Sequence, residues 1–308
     1  MRSRQISLIG TVIGMTILIL DSRHMVLYAG QGIDLCLKTV IPSLFPFFLL
    51  SIYLTGNLLS GSGTGAIVIA GFLGGYPVGA HSAAESWRSG RITKAEAERL
   101  LLFCNQAGPS FLFGMAAARF PEPRYAWMLW GVQLLSALTI GIITFVPGRH
   151  SDLSIPVSPR TLTTAMQMAI RSMASVCGWV VVFRVLLGYL APLPLGNVQQ
   201  VLLYGLLELS NGCILLDTVE NLKLRFLLAT IMLNFGGLCV ALQTASVIRG
   251  LDLRIYLRGK LFQTALSLIY CMIFWGSSVA LILLCAFLLL AALWKSAKRG
   301  SIPAWFGV

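Results

Sequence analysis

The sequence predicts an all-α integral membrane protein, built as a multi-spanning helical bundle. Of its 308 residues, 57% are hydrophobic and only 11% are charged, and the mean hydropathy is +0.83. Soluble domains carry about twice that charged fraction. The apolar residues fall in long runs that suit lipid-crossing helices of roughly 20 residues. This pattern disfavours the alternative of a large soluble protein with a buried core.

The basic residues predict how the chain lies in the cell membrane. The formal net charge is +12, which in a soluble protein would suggest nucleic acid as a partner. Here Lys and Arg concentrate in short loops, so the positive-inside rule explains them better, and the predicted partner is membrane lipid. We expect no nucleic acid partner and a multi-pass location. The clusters expected in the cytoplasm are Arg2 with Arg4, Arg88 with Arg91 and Lys94, Arg149 with Arg160, Arg249 with Arg254, Arg258 and Lys260, and Lys295 with Lys298 and Arg299.

Cysteine and histidine give no sign of a metal centre. The seven cysteines are dispersed through apolar segments without a CxxC pair, and the three histidines form no HExxH motif. No nucleophile–base arrangement appears either. We therefore predict no metal, no cofactor, no catalytic residues and no enzymatic activity.

Five regions divide the chain. Residues 1–25 are expected to form an N-terminal membrane anchor rather than a signal peptide, because no small-x-small cleavage site follows the apolar core. A first repeat over 26–146 is expected to open with an interfacial amphipathic helix that ends at Pro42. A cytoplasmic loop over 147–160 then leads to a second repeat over 161–277. A C-terminal span and basic tail occupy 278–308, and whether the last apolar region crosses once or twice stays open.

The two halves share a weak internal repeat. GFLGGYPVGA followed by LLLFCNQAGPSFLFG in the first half corresponds to GLLELSNGCILL followed by LLATIMLNFGGLCVAL in the second. We expect re-entrant helical hairpins at 65–87 and 198–219 that enter from opposite faces, each beside a broken helix at 94–118 or 222–248. Paired broken helices of opposite orientation are typical of inverted-repeat transporters. The alternative is a chance similarity between glycine-rich helices that pack closely.

The breaks predict the site. Unpaired backbone in lipid costs several kcal/mol per group, so it persists where it lines a polar cavity or is covered by protein. Hairpin tips are expected near Gly75–Gly79 and Ser210–Gly212. We expect Asn105 and Asn234 to approach each other near the bilayer centre. The candidate substrate-binding residues are Gly75, Tyr76, Pro77, Gly79, Asn105, Gln106, Gly108, Glu208, Ser210, Asn211, Asn234, Gly236 and Gly237.

Charged residues within apolar segments leave alternatives open. Glu208 is costly to bury, so it serves proton coupling, contacts the solute or makes a structural hydrogen bond. Arg171 and Arg184 either extend toward the membrane surface or attract an anionic solute. His81 and Glu85 lie one helical turn apart, which permits contact but is weak evidence for a metal site.

The first-half motif resembles a known family. GGYPVGA followed by RITKAEAERLLLFCNQAGPSFLFG is similar to the sporulation integral membrane protein YlbJ group of the Gate, or nucleoside-recognition, domain family, and GLLELSNG and LNFGG are similar but shorter. The resemblance covers roughly residues 35 to 275. It implies a fold like that of concentrative nucleoside transporters, and a role in moving dipicolinic acid across the outer forespore membrane during sporulation. The chain is shorter than expected for that group.

The expected function is that of a membrane transporter for a small polar, anionic solute, working by alternating access around the paired broken helices. A non-transporting membrane scaffold or spore maturation assembly factor is the alternative, and a membrane enzyme ranks third. A homo-oligomer and a sporulation membrane partner both stay open.

Overall fold

The computed structural model describes residues 18–58, 64–145 and 161–276, with isolated positions and short stretches near either terminus. The predicted loop over 147–160, residues 1–11 and the basic tail lie outside the described residues. Every described element is a helix, as predicted. The α-helices are α1 Ser22–Leu35, α2 Ile41–Leu58, α3 Thr64–Gly74, α4 Val78–Arg88, α5 Lys94–Leu101, α6 Pro109–Phe111, α7 Arg124–Ile143, α8 Leu162–Leu190, α9 Asn197–Leu207, α10 Leu209–Leu215, α11 Leu222–Phe235, α12 Gly237–Val247 and α13 Leu253–Phe274.

Length and composition confirm the membrane class. Among the described residues, four helical stretches are long and apolar enough to cross a bilayer. They are Ser22–Leu54, Arg124–Ile143, Leu162–Leu190 and Leu222–Val247. Many of their large apolar side chains are exposed, among them Trp127, Ile142 and Val182, as expected of helices that face lipid.

The first span corrects one prediction. The expected interfacial helix does not end at Pro42, because α1 runs into α2 through a π-helical segment at Cys36–Val40. A π-turn changes the hydrogen-bond register locally, which lets a helix accommodate residues such as Pro42 that lack a backbone N–H. The combined helix packs along α8, where Gly32 lies against Val181.

Two helix pairs occupy the regions of the predicted hairpins. α3 and α4 are joined by a tight turn at 75–77, where Gly75 has φ +75°. α9 and α10 are separated by one extended residue, Glu208, with φ −143° and ψ 118°. The second break therefore lies two residues before the expected tip at Ser210–Gly212, which belongs to α10.

Each half also contains an interrupted helix. In the first half, α5 ends at Leu101 and the chain is irregular until α6 begins at Pro109; π- and 3₁₀-helical turns then continue to Arg119. In the second half, α11 and α12 meet at Gly236, whose φ of +86° lies in the left-handed region. A glycine adopts this dihedral without the steric cost that a side chain imposes.

Contacts at the helix ends show that the two interrupted helices run in opposite directions. Arg88, which ends α4 near the start of α5, donates to the carbonyl of Val247 at the end of α12 (2.5 Å). Arg119, at the end of the first interrupted helix, pairs with Asp217 (2.8 Å) near the start of α11. Arg225 of α11 also donates to the Arg119 carbonyl (2.7 Å). Each interrupted helix thus begins where the other ends.

Candidate functional site

The first hairpin packs on the irregular segment through glycines. A β-carbon on Gly71 or Gly79 would collide with the carbonyl of Cys104, and one on Gly75 would come within 3.0 Å of the Gly108 nitrogen. Backbone therefore meets backbone at this crossing, as small residues allow. The crossing holds the α3–α4 turn directly against the break.

The second half repeats this crossing with different partners. A β-carbon on Gly212 would collide with the Gly205 backbone, and one on Gly205 would collide with Met232, two residues before Asn234. A β-carbon on Gly237 would come within 2.9 Å of the Gly205 carbonyl oxygen. In both halves a helix pair is therefore held by glycines against the break that follows it in sequence.

Tyr76 connects the two halves. Its hydroxyl donates to the carbonyl of Leu233 (3.0 Å), and its ring lies against Gly236. The last four carbonyls of a helix have no intrahelical donor, and Leu233 lies near the end of α11. In the other break, Gln133 of α7 donates to the Ala107 carbonyl (2.8 Å). Side chains from elsewhere in the fold thus satisfy backbone acceptors in both breaks.

A buried polar network also joins the breaks. Gln106 and Gln263 exchange hydrogen bonds (2.7 and 2.9 Å), and Gln263 donates to Asn234 (3.1 Å). The amino group of Lys260 donates to Gln263 (2.9 Å) and Gln106 (3.3 Å), and it lies 5.2 Å from the centre of the Tyr76 ring. Gln106 of the first break is thereby coupled to Asn234 of the second through α13.

Sequence reasoning misplaced Lys260 and missed Gln263. Lys260 was assigned to a cytoplasmic cluster with Arg254 and Arg258, but it is 1% exposed and lies two turns inside α13. The available signal was the spacing of Lys260, Gln263 and Ser267, which places three polar residues on one face of the helix. All three are buried.

Asn105 is buried but points away from this network. Its amide nitrogen donates to Thr244 of α12 (3.0 Å), and its oxygen accepts from the Ala80 backbone (3.4 Å). No hydrogen bond joins Asn105 to Asn234 among the described contacts. The link between the two breaks runs instead through Gln106, one residue later.

Glu208 forms a separate buried cluster. Its carboxylate accepts from the backbone N–H of Ser210 (3.1 Å) and of Asn211 (2.8 Å), and from the Asn211 amide (2.7 Å). It is therefore the N-cap of α10. The half-buried Arg184 donates to the Asn211 oxygen (3.0 Å) and to Gln31 of α1 (2.7 Å). The expected neighbours Glu208 and Asn211 thus contact each other, with Arg184 beside them.

Three of the breaks, together with α12 of the second interrupted helix, line a small cavity of about 40 Å³. Its lining contains predicted substrate-binding residues from both halves: Gly75, Tyr76, Gly108, Glu208 and Ser210. Ala107, Leu209 and Val240, which lie near the breaks, also line it. The remaining candidates Gly79, Asn105, Gln106, Asn211, Asn234, Gly236 and Gly237 are not in the lining of this cavity.

A larger cavity of about 300 Å³ adjoins the small one, sharing Val176 and Gln243. It lies between α2, α4, α8 and α12 and contains the candidate Pro77. Its polar lining consists of His81, Ser82, Arg171, Ser172, Ser175, Gln243 and Ser246. His81 also lies 3.6 Å from Glu85, the contact that their spacing allowed. Arg171 therefore lines a cavity, whereas Arg184 belongs to the Glu208 cluster.

These features define a helical integral membrane protein with glycine-packed helix breaks around a buried polar centre. The chain is 24% identical to the sporulation integral membrane protein YlbJ of Bacillus subtilis (strain 168), over 79% of this chain and 76% of the relative. This match supports the YlbJ group that the first-half motif predicted. No family model and no solved structure matches the chain, so the Gate family and the nucleoside transporter-like fold stay predictions.

Proposed function

We propose that this protein is a membrane carrier, rather than an enzyme, for a small polar anion, and that it works by alternating access around the four breaks. The observation that carries the proposal is the small cavity, because both helix-pair breaks and both interrupted helices contribute to its lining. Irregular backbone at membrane depth is tolerated where it lines such a cavity or is covered by protein. Movement of one half against the other would expose this centre to each face in turn.

The larger cavity supports an anionic solute. Arg171 contributes a permanent positive charge, and four serine hydroxyls with the Gln243 amide contribute hydrogen-bond donors. Among the described residues, its lining includes no Asp or Glu. Arginine with neighbouring donors suits a carboxylate, which it binds in two-pronged geometry. The shared residues Val176 and Gln243 make this cavity a vestibule for the smaller one.

Reciprocal contacts at the helix ends support two inverted repeats. The first hairpin ends beside the end of the second interrupted helix, through Arg88 and Val247. The second hairpin ends beside the end of the first interrupted helix, through Asp217 and Arg119. Two units related by a two-fold axis in the membrane plane would make this exchange of partners.

Dipicolinic acid is the solute we propose, during bacterial sporulation and across the outer forespore membrane. This step rests on the resemblance to the YlbJ group and on the sporulation role in the relative's name. Dipicolinate is a planar dianion, so an arginine and several hydroxyl donors are chemically suited to it.

Uptake into proteoliposomes tests the proposal. The panel contains dipicolinate and nucleosides, and the expected result is uptake of dipicolinate that Arg171→Gln reduces about tenfold, the loss of one charge-assisted contact. Arg254→Gln is the matched control, because Arg254 is exposed and lies outside the cavity. Nucleoside uptake unaffected by Arg171→Gln would overturn the anionic class. Absence of uptake of every solute would favour a non-transporting scaffold. For a scaffold, variants at Asn105 and Asn234 that still fold should leave sporulation intact.

A further inference from the structure

We propose that Lys260 carries the proton of a proton–anion symport cycle, so that the anionic solute and one proton on this amino group cross together. The inference rests on the proposed carrier function and assigns its coupling residue. Lys260 lies in a side-chain network that holds a residue of each interrupted helix, with Gln106 on one side and Asn234 on the other.

Backbone carbonyls fix the orientation of the amides around Lys260. The Phe103 carbonyl accepts from the Gln106 amide nitrogen (2.6 Å), which turns the Gln106 oxygen toward Lys260. On the other side, the Thr230 carbonyl accepts from the Asn234 nitrogen (2.8 Å), so the Asn234 oxygen accepts from Gln263. The Gln263 oxygen is then left to face Lys260 (2.9 Å).

The site therefore presents acceptors to Lys260. An ammonium group has three N–H donors and no acceptor, which matches two amide oxygens and the face of an aromatic ring. A neutral amine would have one donor fewer and a lone pair without a donor. The arrangement in this conformation thus fits the protonated form, and loss of the proton would weaken the link between the two breaks.

No carboxylate neutralises this charge among the described residues. Of the groups near Lys260, the α3–α4 turn contributes the Tyr76 phenol, the first break contributes the Cys104 thiol, and α13 itself contributes Tyr256. On α5, Glu96 and Arg99 pair with each other (2.6 Å). The charged residues of α7 and α11 are confined to their first turns, and α12 has none.

An unpaired buried cation is costly, and this cost is relieved either when an anion arrives nearby or when the proton leaves and the amine becomes neutral. Tyr76 brings these two events together, because it lines the small cavity and its ring also contacts Lys260. In the cycle, the amine takes a proton from water on the side where solute binds and returns it to water on the other side as the solute leaves. Each cycle moves one anion and one proton across the membrane, and Lys260 returns to its starting protonation state.

A binding measurement tests this step without transport. Purified protein in weakly buffered detergent is mixed with dipicolinate, and a pH-indicator dye reports proton exchange. We expect uptake of up to one proton per bound dipicolinate, growing as the pH rises and Lys260 of the free protein loses its proton, as linkage requires when a ligand favours a protonated group. Dipicolinate that binds without proton uptake by the unmodified protein would overturn the proposal, whereas absence of binding would count against the carrier function itself.

Transport variants give the second arm. Lys260→Gln removes the charge, and Lys260→Arg keeps a charge that does not titrate, so both should lose accumulation driven by a pH gradient while solute exchange at equal pH persists. Lys94→Gln is the control, because Lys94 is an exposed lysine of α5. Gradient-driven accumulation that survives in either folded Lys260 variant would overturn the assignment. If both variants fail to fold, the dye measurement on the unmodified protein can still overturn the proposal, because binding without proton uptake excludes a proton on Lys260.

Discussion

The Tyr76 hydroxyl donates to the Leu233 carbonyl over 3.0 Å, which ties the first hairpin tip to the break of the opposite half. Tyr76 is also 157 residues away from Leu233 in the chain, so this bond closes a long loop between the repeats. Tyr76 also lines the small cavity, and its ring centre lies 5.2 Å from the Lys260 amino group. One residue therefore contacts the proposed solute site, the coupling residue and a freed backbone acceptor.

Tyr76→Phe should lower the free energy of unfolding by about 1–3 kcal/mol, because the Leu233 carbonyl would remain buried without its donor. Unfolding in detergent micelles measures the effect. Tyr53→Phe is the matched control, since Tyr53 is 37% exposed and its hydroxyl change should be nearly neutral. Equal stability losses in the two variants would show that the Tyr76–Leu233 bond contributes nothing specific.

The breaks could be predicted from sequence because they depend on local backbone preferences. Contacts between segments that are distant in sequence could not be predicted in this way. Gly75, Pro77 and Gly236 are residue types that favour helix interruptions, so breaks near them could be expected from sequence. Lys260 was misassigned because it follows two loop-like arginines, and its burial depends on which face of α13 meets α7 and α11. That register is set by packing between segments that are distant in sequence.

The second break lies two residues before the expected Ser210–Gly212 for a related reason. Ser210, Asn211 and Gly212 look like turn residues, yet a carboxylate can begin a helix by accepting from the two N–H groups that follow it. Glu208 does so, which moves the break to Glu208 itself. The Asn105 amide donates instead to Thr244, a contact that only the assembled fold defines.

Glycine crossings should tolerate no side chain. Gly71→Ala should cost about 1–3 kcal/mol of stability, because its β-carbon collides with the Cys104 backbone and neither helix can move without opening the other contact. Gly65→Ala is a control in the same helix, since no atom lies within 4 Å of its β-carbon position. It should be neutral or slightly stabilising, as alanine favours helix. Similar melting temperatures for both variants would contradict the close crossing.

Glu208 should act as a helix cap rather than as the proton carrier. Glu208→Leu leaves three N–H donors unsatisfied and should cost about 1–3 kcal/mol, whereas Glu208→Gln keeps one acceptor and should lose less. Glu122→Gln, at an exposed position, is the control. The pH profile of initial uptake should be the same for the Gln variant and the unmodified protein. If initial uptake by the Glu208→Gln variant no longer depended on pH, Glu208 and not Lys260 would be the proton carrier.

The reciprocal end contacts predict membrane sidedness. If the repeats are inverted, the end of the first hairpin faces the cytoplasm together with Arg249, and the end of the second faces the opposite side together with Arg119. Single cysteines at Ser89 and Lys223, beside these two ends, test this in a background without Cys177 and Cys285. An impermeant thiol reagent applied to intact cells should label the Lys223 position alone. It should reach Ser89 after the membrane is opened. Labelling of both positions from the same side would refute the inverted arrangement, even if the carrier function survived.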